Sequence, residues 1–306
     1  METPVARFSS LIVSASAIGF LLAGCSAAAG NAVVGIPASA PPSYTQAGNT
    51  IDSGISGIDK AVQAELAAAN AVQSDGASPG VLVEINALTS VSSLVRAEAF
   101  TGLQKTGANE IAKRQGYVNA LIADVRNDAF LNGVTLSGSS LSAKLLSMLY
   151  GVNAQLDALA AKVAFDSLPD VLRSDVTSIG PSTRVAGLIK PMTHLAIAGG
   201  GELRELNDLA ARYQQLRAVV AGVASSNPNH GQEVARLADL SASIATATTT
   251  VDSAVGAVMS LTASGFPSNK TTVTQVRDAL VQLRSPLGKL GEAKADVIAI
   301  LALLAN

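Results

Sequence analysis

From Ile51 onward apolar residues return at intervals of three and four, the repeat of one face of an α-helix. Ile51, Ile55, Ile58, Val62, Leu66 and Ala69 make the first such stripe. After a break from Gly76 to Gly80, a second runs through Leu82, Ile85, Leu88, Val91 and Val95. Ile111, Val118, Ile122 and Val125 mark a third helix, ending near Gly133. The cleanest stripe is Leu141, Leu145, Met148, Val152, Leu156, Leu159 and Val163. Past Pro169 the pattern weakens, and Gly180-Pro181 and Pro191 each predict a kink or short break. Leu203, Leu206, Leu209, Tyr213, Leu216, Val220 and Val223 restore it up to a turn at Asn227-Pro228-Asn229. Val234, Leu237, Leu240, Ile244, Val251, Val255 and Val258 follow. Their Thr246–Thr250 tract is poor in helix propensity and predicts a locally strand-like stretch. Beyond a turn at Gly265-Phe266-Pro267, the last helix carries Val273, Val276, Leu280, Leu283, Leu287, Leu290, Val297 and Ile300, with a kink at Pro286.

Period-two alternation is nowhere sustained, and Gly and Pro fall mostly between stripes. Residues 51–306 therefore predict an all-α domain. We expect an elongated antiparallel bundle of about seven or eight helical segments, with coiled-coil-like packing. Composition sharpens this picture. Hydrophobic residues make up 48% of the chain, yet aromatics only 3% and Trp is absent, so alanine and small aliphatics must fill the interior. A chain of 306 residues is ample for a sizeable core.

The first fifty residues follow no helical period. Arg7, with Glu2 beside it, precedes an uncharged run from Phe8 to Gly24 that ends in Leu22-Ala23-Gly24-Cys25. This tetrad resembles the lipobox of bacterial lipoproteins, in which small residues precede an obligatory cysteine. The resemblance covers residues 1–25. It implies a signal peptide over 1–24, cleavage between Gly24 and Cys25, and acyl chains (diacylglycerol and palmitate type) attached to the Cys25 thiol. Two or more chains hold a protein stably at a membrane, whereas one does so only marginally. The implied location is the cell membrane or outer membrane, facing away from the cytoplasm. Ser26, where an Asp is absent, favours the outer membrane of a two-membrane host by analogy with enteric sorting; in a one-membrane host the protein sits on the surface. The other readings of the segment are an ordinary secretory signal cut nearer Ala27–Ala29, or an uncleaved membrane helix. Against them, the apolar run is short for a span and Cys25 is the only cysteine. A lone cysteine also means no intramolecular disulfide.

Residues 25–50 then read as a lipidated flexible tether, small and polar with Pro37, Pro41 and Pro42. Farther on, an Arg-containing helix before a leucine stripe, Arg184-Val185 through Pro191 and His194, and an Ala/Leu-rich helix pair make residues 106–300 similar to uncharacterised helical surface proteins of bacteria. That resemblance implies no activity.

Charge and candidate chemistry narrow the function by exclusion. With 21 basic against 23 acidic residues, an isoelectric point near 5.7 and no basic stripe, nucleic-acid binding and broad adhesion to anionic lipid are not expected. The mean hydropathy of +0.36 reflects alanine content and the leader. Two histidines, His194 and His230, stand 36 residues apart with no metal-ligand spacing, so they read as structural and no metal or other cofactor is expected. No Gly-x-Ser-x-Gly elbow is present. Asp157, Asp166, Asp170 and Asp175 surround Pro169 and would form a carboxylate site if gathered; caps and solvated faces are the expected roles. Gly199-Gly200-Gly201-Glu202 lacks a preceding strand and a Lys-Ser/Thr pair, and reads as a helix break or hinge rather than an anion nest. The apolar run Val297–Ala305 is too short to span a bilayer. The expected role is a structural or protein-interaction module of the cell envelope, partnered by the membrane through its anchor and by another envelope protein. The alternative is an aliphatic cavity holding a small apolar ligand or lipid. An enzyme is the least supported class, and no catalytic residue is expected.

Overall fold

The computed structural model describes residues 44–70, 75–90, 92–266 and 268–305, all within one compact unit. Nine α-helices order these residues: α1 Tyr44–Asn70, α2 Pro79–Ala87, α3 Ser93–Asn127, α4 Leu141–Phe165, α5 Pro169–Thr183, α6 Lys190–Ala221, α7 His230–Met259, α8 Ser268–Arg284 and α9 Lys289–Leu304. The fold is an all-α multi-helix bundle. No helix among the described residues is long and apolar enough to cross a membrane.

Helix starts follow local chemistry. The hydroxyls of Ser78, Ser92 and Ser140 accept the N–H groups of Val81, Val95 and Ala143, capping α2, α3 and α4. Pro79, Pro169 and Pro191 occupy first-turn positions, where a missing N–H does no harm. α1 begins at Tyr44, so the helix takes in the last seven residues of the segment that composition assigns to the tether.

Several local expectations are revised. The stripe from Leu82 to Val95 is not one helix: it divides between α2 and the start of α3, and Leu82 and Val95 face solvent. Thr246–Thr250 is helical throughout. The hydroxyls of Thr246, Thr248, Thr249 and Thr250 each donate to the carbonyl four residues back, so the β-branched tract is held inside α7. At Pro286 the chain breaks into α8 and α9 rather than kinking, because proline offers no N–H to continue the ladder. A short hairpin, unannounced by any alternation, pairs β1 Thr135–Leu136 with β2 Ser139–Ser140. Its loop residues Ser137 and Gly138 both have positive φ, the geometry of a tight two-residue turn.

α6 is the central element. From Pro191 to Leu203 every residue is buried, the mark of a helix enclosed on all sides. α1, α7, α8 and α9 pack around it, while α2 to α5 form a second group that touches α6 through α3 and α4 and leads into it from the end of α5. That joint is tight. Arg184 ends α5 in the left-handed region, with φ of 47°, its guanidinium 4.2 Å from the Phe266 ring centre. A π-helical turn, Val185–Ile189, then leads into α6. Asp75, from the connection before α2, caps this turn: its Oδ1 accepts the Ala186 N–H at 2.9 Å and its Oδ2 the Gly187 N–H at 2.8 Å. Gly180 lies so close to the Asp75 carbonyl that a Cβ there would collide with it.

Candidate functional site

Gly199, Gly200 and Gly201 sit mid-helix in α6, not at a break or hinge. Each faces a different neighbour. A Cβ would strike Val255 of α7 from Gly199, Leu131 from Gly200, and Val62 of α1 from Gly201. The triplet is thus a close-packing point where three neighbours press on one backbone.

Just beyond it, two carboxylates are buried. The side chains of Glu202 and Glu205 are 0% and 1% exposed, and they face Arg284, the last residue of α8, whose side chain is 5% exposed. Arg284 Nη1 lies 3.7 Å from Glu202 Oε1 and Nη2 lies 3.2 Å from Glu205 Oε2. Arg284 also pairs with Asp59 of α1. Lys294 of α9 completes the group, 2.6 Å from Glu205 Oε1 and 3.1 Å from Asp59 Oδ1. Four helices therefore meet at three acids and two bases. Burial pushes the Glu202 carboxyl well above the usual carboxylate range, the Glu205 charge adds to the rise, and Lys294 only partly opposes it. Glu205 is also raised by burial, less strongly, because Lys294 bonds it directly. Burial lowers the Arg284 guanidinium to about 10. Glu202 is thus shifted toward its neutral form, beside Asp59 and Glu205 and the two cations Arg284 and Lys294. The opposed charges fasten α1, α6, α8 and α9 to one another.

The residues singled out in the sequence do not converge on one site. His194 Nδ1 lies 2.7 Å from Glu65 Oε2, tying α6 to α1, whereas His230 lies 3.9 Å from Glu233 at the start of α7. Of the four aspartates, Asp157 accepts from Gln115 at 2.6 Å and Asp170 pairs with Arg173 at 3.4 Å. Asp166 and Asp175 do meet; desolvation, then the neighbouring Asp175 charge, raise the Asp166 carboxyl. Among the described residues no three His, Cys, Asp or Glu side chains are placed to hold a metal ion. Gly24 and Cys25 lie outside the described residues.

An open groove of about 730 Å³ runs between α4 and the C-terminal end of α7, closed at its sides by the hairpin and the π-helical turn. Leu136, Met148, Val152, Ile189, Met259 and Leu261 give it an aliphatic lining. Lys144 is its one charged side chain.

Sequence reasoning passed over Asp59, Glu205, Arg284, Lys294 and Asp75. One signal was present for Glu205: with Glu202 it borders the Leu203, Leu206 and Leu209 stripe directly after three glycines, where an outward polar face would not yet begin. Nothing in spacing brings Asp59, Arg284 and Lys294 to it from three other helices.

No family model, curated protein or solved structure matches this chain.

Proposed function

We propose that this protein is a lipid-anchored component of a bacterial cell envelope whose helical body serves as a structural or protein-interaction module. The observation that carries the reading is Leu22-Ala23-Gly24-Cys25 at the end of an uncharged apolar run, holding the chain's only cysteine. Acylation of that thiol ties the N-terminus to a membrane, and the residues after it lead into α1.

A second feature supports the interaction role. Leu82, Val83, Leu94, Val95, Phe165, Leu168 and Val171 are exposed, Phe165 to 86%. All seven belong to elements that meet at one end of the α2–α5 group. α2 packs along the start of α3, with Glu84 against Gly102. Gln104 of α3 donates to the Val163 and Asp166 carbonyls at the end of α4, three residues before α5 begins. Exposed apolar side chains on elements packed together in this way support a contact with another protein. Scattered singly, they would carry no such meaning.

The test is site-specific cross-linking in the native envelope. A photoreactive residue at Leu94 or Phe165 should join a discrete envelope protein, while one at Val234, exposed on α7, should not. Leu94→Asp and Phe165→Asp should abolish the adduct. Equal capture from all three positions, or capture unaffected by either charge, would refute an interaction through this end.

A further inference from the structure

We infer that the groove between α4 and α7 binds a single-chain anionic amphiphile of the fatty-acid class, with its carboxylate on Lys144 and its chain along the aliphatic lining. This goes beyond the interaction role of the α2–α5 end and rests on different residues.

The size comes first. A volume of about 730 Å³ falls within the range that small-molecule sites occupy. Lys144, Ser147, Met148, Gly151, Val152 and Gln155 present one face of α4 to it. From Lys144 to Gln155 that face runs for three turns, about 16 Å at 1.5 Å per residue, a track suited to a long alkyl chain. Facing it, α7 supplies Gly256 and Met259, and Leu261 continues the wall.

Two glycines keep the track open. A helix-interior glycine weakens its helix relative to alanine, so it usually has a packing reason. Gly107, Gly199, Gly200 and Gly201 each have one, since a Cβ on any of them would meet a neighbouring side chain too closely. Gly151 and Gly256 have none: a Cβ on either would meet nothing within 4 Å. Gly57 of α1, Gly116 of α3 and Gly231 in the first turn of α7 are equally open, and Gly151 and Gly256 are the two of these that line this groove. What the two lining glycines do is leave room between α4 and α7.

The polarity of the lining fixes the ligand's sign. Among the described residues no Asp or Glu lines the groove, so Lys144 sets its charge. Its ammonium donates to the Leu136 carbonyl at 2.7 Å, which fixes it beside the hairpin while two of its three N–H groups remain for another acceptor. Two of the other lining hydroxyls are engaged by backbone, Thr183 donating to the Ile179 carbonyl and Ser260 to the Ala257 carbonyl, each at 2.7 Å. An aliphatic track with one cation at its end selects an amphiphile carrying one negative head. The absence of Trp and the scarcity of aromatics leave no stacking surface for a sugar or heterocycle.

The test is competition against a fluorescent polyene fatty acid on the full chain, wild type and Cys25→Ser, with sodium oleate and uncharged oleyl alcohol as competitors. The Cys25→Ser protein keeps the outcome independent of the lipobox reading. Both should bind oleate saturably. Lys144→Gln should weaken oleate about tenfold, the worth of one charge-assisted hydrogen bond, and leave oleyl alcohol unchanged. Gly151→Leu and Gly256→Leu fill the track and should displace both competitors, with circular dichroism confirming that each variant keeps its helix content. The inference is overturned by absence of saturable oleate binding in wild type, or by unchanged binding in both leucine variants. Equal loss of oleate and oleyl alcohol in Lys144→Gln would also overturn it.

Discussion

Glu202 is a carboxylic acid enclosed by four helices, and its titration sets the terms for the residues around it. Asp59, Glu205, Arg284 and Lys294 all face the same centre, and Arg284 lies nearer Glu205 than Glu202. A carboxyl whose folded pKa stands above its unfolded value binds more protons when folded. The stability it supports is therefore full below about pH 4 and declines as pH rises from the ordinary carboxylate range through the raised folded value. Glu202→Gln should accordingly stabilise the protein at pH 7.5 by about 1 to 3 kcal/mol, with the gain vanishing near pH 4. Arg284→Met should do the opposite, since it strands two buried acids; a loss of about 3 to 5 kcal/mol is expected. Denaturant titrations of both variants across that pH range check the pair, and a Glu202→Gln protein less stable than wild type at pH 7.5 would contradict the assignment.

At the scale of elements, the joint between α5 and α6 shows how local chemistry and long-range contact combine. Gly180-Pro181 and Pro191 each predict a kink or short break, but α5 continues through Pro181 to Thr183 and the interruption falls between the two, at Arg184. Its fastening is not announced, because Asp75 reaches it across more than a hundred residues to cap Ala186 and Gly187. Asp75→Ala should lower stability by about 1 to 3 kcal/mol through two orphaned N–H groups. Gly180→Ala should do comparable damage by pressing on the Asp75 carbonyl. Hydrogen exchange at Ala186 and Gly187 should quicken in both; unchanged exchange would mean the cap is idle.

The same contrast explains what could be read in advance. Stripes such as Leu141–Val163 are written in one helix's own period, so α1, α4, α6 from Leu203 onward and α7 on either side of its threonine tract were legible. The Thr246–Thr250 tract misled because propensity ignores the i−4 carbonyls that its hydroxyls reach. The glycine triplet looked like a hinge because glycine weakens an isolated helix, while its value here lies in neighbours on three other segments. The charge centre and the groove are likewise properties of helix pairs, and no single stripe records which face meets which partner.

At the scale of the whole molecule, the two groups of helices divide the work. α1, α6, α7, α8 and α9 enclose the charge centre. Leu82, Val83, Leu94, Val95, Phe165, Leu168 and Val171 are exposed on the α2–α5 group, while Val219, Val234, Val281, Leu287 and Ile298 are exposed on the other. α1 runs antiparallel to α6, with Glu65 beside His194 and Asp59 beside the Glu205–Arg284 pair, so the chain enters the five-helix group from the C-terminal side of α6. A lipid anchor upstream of α1 would hold the body by that side. The anchor depends on Cys25, and mass spectrometry of the N-terminal peptide from membranes of the native host tests it most directly. The wild-type peptide is predicted to begin at Cys25 and to carry the mass of a diacylglycerol thioether, while Cys25→Ala remains uncleaved and unlipidated. An unmodified wild-type peptide beginning near Ala28, or identical unlipidated products from both proteins, would contradict it.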